Sequence, residues 1–339
     1  MRIIIPMAGI GSRLKPHTLT VPKPLTLIAG KTIVQQLVEE IVKVVGQKVT
    51  DIGFIIGPAS KGFPANTEQQ LNSIAKNLGA NASVFVQNEA LGTAHAIHKA
   101  RTLLEGPCVV AFADTLFKAD FTLNNKDDGV IWVKKVDNPK AFGVVKLKNG
   151  IITDFVEKPD VFVSDLAIIG IYYFKEAEKL RFEIDNLIDN DLKGKGGEYQ
   201  LTDALENIKK KGAQFVPGTV SDWMDNGNKE VTVETNKKVL EYSLKEGKNL
   251  VSDTVQLTNS KIIPPCYIGE GVVLKDSTVG PFVSLGANSL VENATIKNSL
   301  IQQKVTISNT KLDKAMIGNN VTFDGNFTSV SLGDYSELI

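Results

Sequence analysis

From about residue 250 onward, aliphatic residues return every five or six positions: Ile262, Ile268, Leu274, Val279, Leu285, Leu290, Ile296, Ile301, Ile307, Leu312 and Ile317. Glycines follow several of them (Gly269, Gly280, Gly286, Gly318), and Asn and Asp fill the gaps. A strand face repeats every second residue and a helix face every third or fourth, so this spacing suits neither. It suits a hexapeptide-repeat, left-handed parallel β-helix, in which each short strand sends one side chain inward before the chain turns a corner. An antiparallel sandwich of short strands is the alternative; the persistence of the spacing through about ten steps favours the β-helix. The stretch from Ser308 to Lys314 reads as an interruption, implying an irregular helix with few coils.

Up to about residue 225 the texture differs. Strand-like runs (Ile3 to Ile5, Ile52 to Ile56, Ala82 to Val86, Cys108 to Phe112) alternate with helical patterns at Ile33 to Val45, Glu68 to Leu78 and Thr93 to Leu104. Such alternation predicts βαβ units and a mostly parallel sheet covered on both faces, an α/β fold whose ligands sit at the carboxyl ends of strands. The glycine loop after Ile5 and the turn Ala113-Asp114-Thr115 both fall at such ends. With 339 residues the chain has room for two domains. The expected division is 1–227 for the α/β domain, 228–250 for a polar connecting helix and 251–339 for the β-helix.

Charge narrows the partners. The 38 basic and 38 acidic side chains cancel, so no global field favours nucleic acid or an anionic membrane. An anion site must then be local, which points to a small phosphorylated ligand. Cys108 and Cys266 are the only cysteines, without metal or redox spacing, and read as small apolar residues in a reducing compartment. No charged leader precedes the first strand, and no apolar run approaches the roughly 20 residues of a spanning helix. A cytoplasmic location follows as the expectation.

The local anion site is at the N-terminus. Arg2 to Pro6 reads as a buried strand running into Met7-Ala8-Gly9-Ile10-Gly11-Ser12-Arg13-Leu14, with Lys23 between Pro22 and Pro24. Glycines let main-chain N–H groups approach phosphate oxygens, and Arg and Lys add charge. Leu14 stands where the dinucleotide fingerprint wants a third glycine, and no Gly-Lys-Ser/Thr follows, so neither familiar phosphate loop fits.

The whole string through Pro16, Thr18, Pro22-Lys23-Pro24-Leu25 and Gly30-Lys31 resembles the signature of the sugar-1-phosphate nucleotidyltransferases, the NDP-sugar pyrophosphorylases, of the glucose-1-phosphate thymidylyltransferase type. The resemblance implies a Rossmann-like domain, Mg²⁺ dependence, and release of pyrophosphate from an NTP and a hexose 1-phosphate. It implies that Arg13 clamps the leaving part of the triphosphate and that Lys23 faces the α-phosphate or the sugar phosphate, with Ala8, Gly9, Gly11 and Ser12 in the nucleotide loop. Gln87 to Ala94 resembles the family's base-binding turn, which implies that Gln87, Gly92 and Thr93 bind the nucleotide, Gln87 and the backbone of Gly92 at the base edge and Thr93 at the start of a helix. Asp114 and Asp225, the latter in Trp223-Met224-Asp225-Asn226-Gly227, resemble the metal-binding positions, and two carboxylates plus phosphate oxygens suit Mg²⁺. Gly143, Glu157, Lys158 and Tyr172 lie in segments resembling the sugar-phosphate-binding parts. His95 and His98 read as ordinary helix residues, and Thr202 or Asp203 as a helix cap.

Relatives that take an N-acetylated sugar carry Asn where this chain has Ile168, which favours a plain hexose. The expected reaction is in-line attack by the sugar phosphate on the α-phosphorus. A phosphate monoester, with a second pKa near roughly 6, is already ionised and needs no general base. Glucose 1-phosphate with dTTP or UTP is the expected pair, with mannose 1-phosphate and GTP as the alternative. A non-catalytic regulatory subunit is a further alternative, disfavoured by the presence of Arg13, Lys23, Asp114 and Asp225. An acyltransferase activity in the β-helix is disfavoured because no histidine follows His98. The open ends of stacked coils imply a homo-oligomer formed through the β-helix.

Overall fold

Buried aliphatic runs become the central strands of the first of two compact units, formed by residues 1–9 and 35–223. A computed structural model describes residues 1–9, 11–119, 123, 126–325 and 330–338; Ile10 of the glycine loop lies outside them. Strands β1 (Arg2–Pro6), β2 (Asp51–Ile56), β3 (Asn81–Val86) and β4 (Cys108–Ala111) pair in parallel, β4-β1-β2-β3. Ile3, Ile4 and Ile5 are fully buried, as expected for a strand covered on both faces. Full burial of each contributes about 1.5–3 kcal/mol.

The later segments make the sheet mixed. They are β5 (Gly129–Lys135), β6 (Val144–Lys148), β7 (Ile151–Val156), β8 (Leu166–Phe174) and β9 (Phe215–Thr219). β8 runs antiparallel to β4, β5 and β6, β6 and β7 form a hairpin, and β9 adds in parallel to β5. The nine-stranded order is β7-β6-β8-β4-β1-β2-β3, with β5 and β9 branching from β8. The helices include α1 (Ile33–Val45), α2 (Thr67–Asn77), α3 (Thr93–His98), α4 (Ala177–Asp189) and α5 (Leu201–Lys210). α3 is shorter than its apolar pattern suggests: Leu103 N–H returns to Ala100 O, tightening Arg101–Leu103 into a 3₁₀ turn. Ile97, Val110, Ile131, Leu205 and Phe215 share one core under these helices.

Residues 10–34 and 224–339 form the second unit. Asn228 caps α6 (Lys229–Lys245) by accepting from Val231 N–H at 3.0 Å. Among the described residues beyond α6 every strand pair is parallel, as in a β-helix: Val273 pairs with Leu290, Leu290 with Thr306 and Thr306 with Thr322. A second ladder joins Cys266–Ile268, Val283–Leu285, Leu300–Ile301, Met316–Ile317 and Ser331–Leu332. Serine hydroxyls link successive coils at separations of 17 and then 16 residues. Ile268, Leu274, Val279, Leu285, Ile296, Ile301, Ile307, Leu312 and Ile317 point inward, as the spacing predicts.

Two details depart from the pattern. Of the adjacent pair Leu290 and Val291 it is Val291 that is fully buried, and a one-residue slip of this kind reverses the face. The apparent interruption at Ser308 to Lys314 belongs mostly to one continuous strand, Thr306–Asp313, that turns at Asn309 (φ 52°). Asn at such corners tolerates the left-handed conformation, and its side chains stack: Asn293 Nδ2 donates to Asn309 Oδ1 at 2.8 Å, and Asn309 Nδ2 to Asp324 Oδ1 at 2.9 Å. A Cβ on Gly269 or Gly286 would stand 2.6 Å from Ala287 N or 2.5 Å from the Gln302 carbonyl carbon, so each glycine admits the next coil.

The same unit holds residues 10–34 against these coils. Gln302 Nε2 donates to Leu27 O at 3.0 Å, His17 Nε2 and Ser331 Oγ share a 3.0 Å hydrogen bond, and Thr20 bonds Asp334. Among the described residues no helix is long and apolar enough to cross a membrane.

Candidate active site

In the second unit, Gly11 (φ 69°) opens the 3₁₀ turn Ser12–Leu14, and its carbonyl accepts from Leu14 N–H and Thr18 Oγ1, both at 2.9 Å. Leu14 is buried and anchors the turn, leaving Ser12 and Arg13 exposed. A Cβ on Gly11 would lie 2.8 Å from Lys23 Cβ, so the glycine lets the lysine stem lie against the loop. Pro22 starts the 3₁₀ turn Lys23–Leu25, which buries Lys23. The structure thus joins Gly11 and Lys23 of the phosphate string. Asp225 is half-buried; its carboxylate lies over Gly227, where an added Cβ would meet Oδ2 at 2.6 Å, and its carbonyl accepts from Thr235 Oγ1 at 3.1 Å.

In the first unit, Ala8 and Gly9 follow β1, and among the described residues nothing crowds Gly9 where a side chain would begin. At the base turn, Gly92 has φ 115° and opens α3. A Cβ there would sit 2.5 Å from Tyr199 O and 2.8 Å from Tyr199 N. Both backbone groups of Tyr199 bind this turn, its N–H to Leu91 O and its carbonyl to Ala94 N–H, each at 2.9 Å. Gln87, also buried, donates from Nε2 to His95 Nδ1 at 3.1 Å and Gly92 O at 3.3 Å. Thr93 faces elsewhere: its hydroxyl accepts from Leu201 N–H at 2.8 Å and donates to Gln200 Oε1 at 3.3 Å. It supplies the cap of α5 that the sequence suggested for Thr202 or Asp203, because a free helix N–H takes whichever oxygen the fold brings to it.

The sugar-side residues meet in this unit. Ile168 N–H donates to Gly143 O at 2.8 Å. A Cβ on Gly143 would stand 3.1 Å from Glu157 Oε2, 3.3 Å from Ile168 Cδ1 and 3.5 Å from Thr202 Cγ2. Lys158 Nζ pairs with Glu157 Oε1 at 3.4 Å. Tyr172 is buried, and that burial, with the charges of Glu157 and Asp114, holds its phenol neutral by raising its pKa. Burial, then Glu157, likewise raises the Asp203 carboxyl. Asp114 is exposed just beyond β4. Sequence reasoning missed three of these neighbours: His95, whose helical position gave no sign of its partner, and Thr202 and Asp203, which lie in a segment read mainly as a helix start.

Asp114 and Asp225 are hard oxygen donors, and among the described residues no three His, Cys, Asp or Glu side chains gather as a metal-ligand group. The carboxylate of each, taken by itself, is the kind of ligand that Mg²⁺ accepts, an ion that takes few protein ligands and keeps positions for phosphate oxygens.

The profile of the nucleotidyl transferase family matches residues 2–242. A glucose-1-phosphate thymidylyltransferase of Streptomyces antibioticus is 27% identical, over 100% of this chain and 99% of its own length. The low-salt glycan biosynthesis nucleotidyltransferase Agl11 of Haloferax volcanii is 30% identical, over 89% of this chain and 87% of its own. The bifunctional protein GlmU of Methanocaldococcus jannaschii is also 30% identical, over 98% of this chain and 81% of its own. Among solved structures, a putative glucose-1-phosphate thymidylyltransferase from Bacillus anthracis superposes with a TM-score of 0.58 at 25% identity, covering 70% of this chain and 94% of the other. The fold, the phosphate string and these likenesses agree: the chain belongs to the nucleotidyl transferase family, as an enzyme of its sugar-1-phosphate branch.

Proposed function

We propose that the enzyme joins glucose 1-phosphate to dTTP or UTP, forming an NDP-glucose and pyrophosphate. The observation that carries this reading is the base turn, where the Gly92 N–H and the Gln87 side-chain oxygen make no bond to the chain among the described residues. A donor beside an acceptor suits the N–H and C=O edge of a pyrimidine imide. For the sugar, Ile168 beside Gly143 offers an apolar contact where an acetamide would want a hydrogen-bond partner.

The sugar phosphate attacks the α-phosphorus in line, and pyrophosphate leaves. No proton needs removal, so the work is holding two anions together and neutralising charge as it shifts to the leaving group. Arg13 takes the leaving phosphates, Lys23 the α-phosphate, and Lys158 the sugar phosphate, while Gly143, Glu157 and Tyr172 form the sugar side. Ala8, Gly9, Gly11 and Ser12 supply the phosphate loop. Asp114 and Asp225 would hold Mg²⁺, which when bound adds positive charge against the phosphates.

A panel of NTPs against several sugar 1-phosphates with Mg²⁺, read by pyrophosphate release, tests this. The expected result is fastest release with glucose 1-phosphate and dTTP or UTP. Preference for GTP and mannose 1-phosphate would replace the substrates, and no release with any pair would make the chain a regulatory subunit. We also expect a cytoplasmic homo-oligomer assembled through the β-helix, whose mass analytical ultracentrifugation would give.

A further inference from the structure

Gln87 is a two-sided side chain, and its chemistry toward a base depends on which side faces outward. One amide atom donates and the other accepts, so a flip changes what the turn presents. Two acceptors fix it here. His95 Nδ1 lies 3.1 Å from Gln87 Nε2, and Gly92 O lies 3.3 Å from the same nitrogen. A carbonyl oxygen can only accept, so of the two ends of an amide it pairs with the nitrogen, and neutral imidazole accepts at one ring nitrogen. Gly92 O therefore requires the amide nitrogen inward, His95 Nδ1 accepts from that nitrogen in its Nε2–H tautomer, and the amide oxygen is left for a ligand.

The surroundings keep His95 in the neutral form that this arrangement needs. The ring is buried within α3. Burial, followed by the positive Lys99 and by His98 on the same run of chain, holds it below its ordinary protonation range; Glu89 opposes this through its charge and its backbone. The Tyr199 ring lies 6.4 Å away between centroids.

We propose that His95 is a positioning residue for base selection: it locks the Gln87 amide so that the turn offers an acceptor, Gln87 Oε1, beside a donor, Gly92 N–H. The pair complements a ring N–H flanked by a carbonyl, as in uracil and thymine. With the amide reversed, the turn would offer two donors. It would then repel that ring N–H and suit adjacent acceptors such as guanine O6 and N7. This inference rests on the base-turn assignment made above.

The test compares the wild-type enzyme with His95→Leu and His95→Asn, measuring kcat and KM for each NTP alongside equilibrium binding of the same NTPs. Asn keeps an acceptor within reach of Gln87 Nε2, and Leu keeps only bulk. For His95→Leu the expected result is a KM for dTTP or UTP raised about tenfold, the loss typical of one buried hydrogen bond. Its kcat should stay within about twofold, and its preference over GTP should narrow. His95→Asn should recover most of the KM. An unchanged KM and preference in a folded His95→Leu would overturn the proposal, as would a loss in kcat alone or a defect that Asn does not repair. If the wild type turns over no NTP, the function assigned above fails instead, and the binding arm still decides whether His95 governs base choice.

Discussion

The phosphate segment and the base turn are both short, glycine-bearing stretches, yet they differ in how much of their hydrogen bonding is local. In the base turn, Gln87 bonds residues only five and eight positions away, and the turn is closed by Tyr199. Residues 10–34 are fastened across the second unit: His17 to Ser331 over 314 positions and Leu27 to Gln302 over 275. The lesson concerns what a motif contains. The base turn orients its glutamine by local bonds and takes its closure from Tyr199 in a distant segment, whereas the phosphate segment carries its charged groups and borrows part of its shape from the β-helix.

The sharpest way to test that contrast is at Lys23. Lys23→Ala should lower turnover by roughly a hundredfold or more in a chain that still folds, since on the proposed function it removes charge at the reacting phosphates, while loss of its buried stem lowers the melting temperature. Activity near wild type would remove Lys23 from the chemistry.

Gly92→Ala comes next and acts on the other region. Its Cβ would meet the Tyr199 backbone at 2.5 Å with φ at 115°. A loss of about 3 kcal/mol in stability is expected by chemical denaturation. A neutral effect would mean that the turn can move away from Tyr199.

The tie at His17 is sensitive to acid. Burial is the chief cause that lowers its pKa from 6.5 to about 4, with Asp334 acting against it and Lys229 with it. Between those values the unfolded chain binds the extra proton, so stability falls as the pH drops from about 6.5 toward 4. The contribution is about 2–3 kcal/mol, and His17→Asn should flatten that slope in a pH series of melting curves. An unchanged slope would detach His17 from the acid response.

Gln302→Ala is the smallest perturbation. Loss of its bond to Leu27 O should cost about 1 kcal/mol and reduce turnover only a few-fold. No kinetic effect would mean that the remaining ties suffice to hold the phosphate segment.

Much of this protein was legible before any fold was drawn. The strands of the parallel core follow from continuous apolar runs and the β-helix from its spacing, because burial on both faces or on a coil repeat leaves a mark in the sequence. The phosphate string was legible because its glycines and charges serve local backbone geometry. Leu290 misled because aliphatic spacing marks the coil without fixing which of two adjacent residues turns inward. Ser308 to Lys314 looked like a break because a corner at Asn309 can occur within a continuous strand.

Side-chain partnership was not legible. Thr93 was placed at the nucleotide from its motif, yet its hydroxyl caps α5 more than a hundred positions away. His95 looked like an ordinary helix residue until the fold set it against Gln87. The sequence by itself determined the two architectures, the charged groups and the class of reaction, because these rest on residue type and local spacing. Only the tertiary structure decided that residues 10–34 pack with the β-helix, which oxygen caps which helix, and which way the Gln87 amide faces. Hydrogen bonds are made to whatever group the folded chain brings within about 3 Å, and that proximity is written in no single stretch of residues.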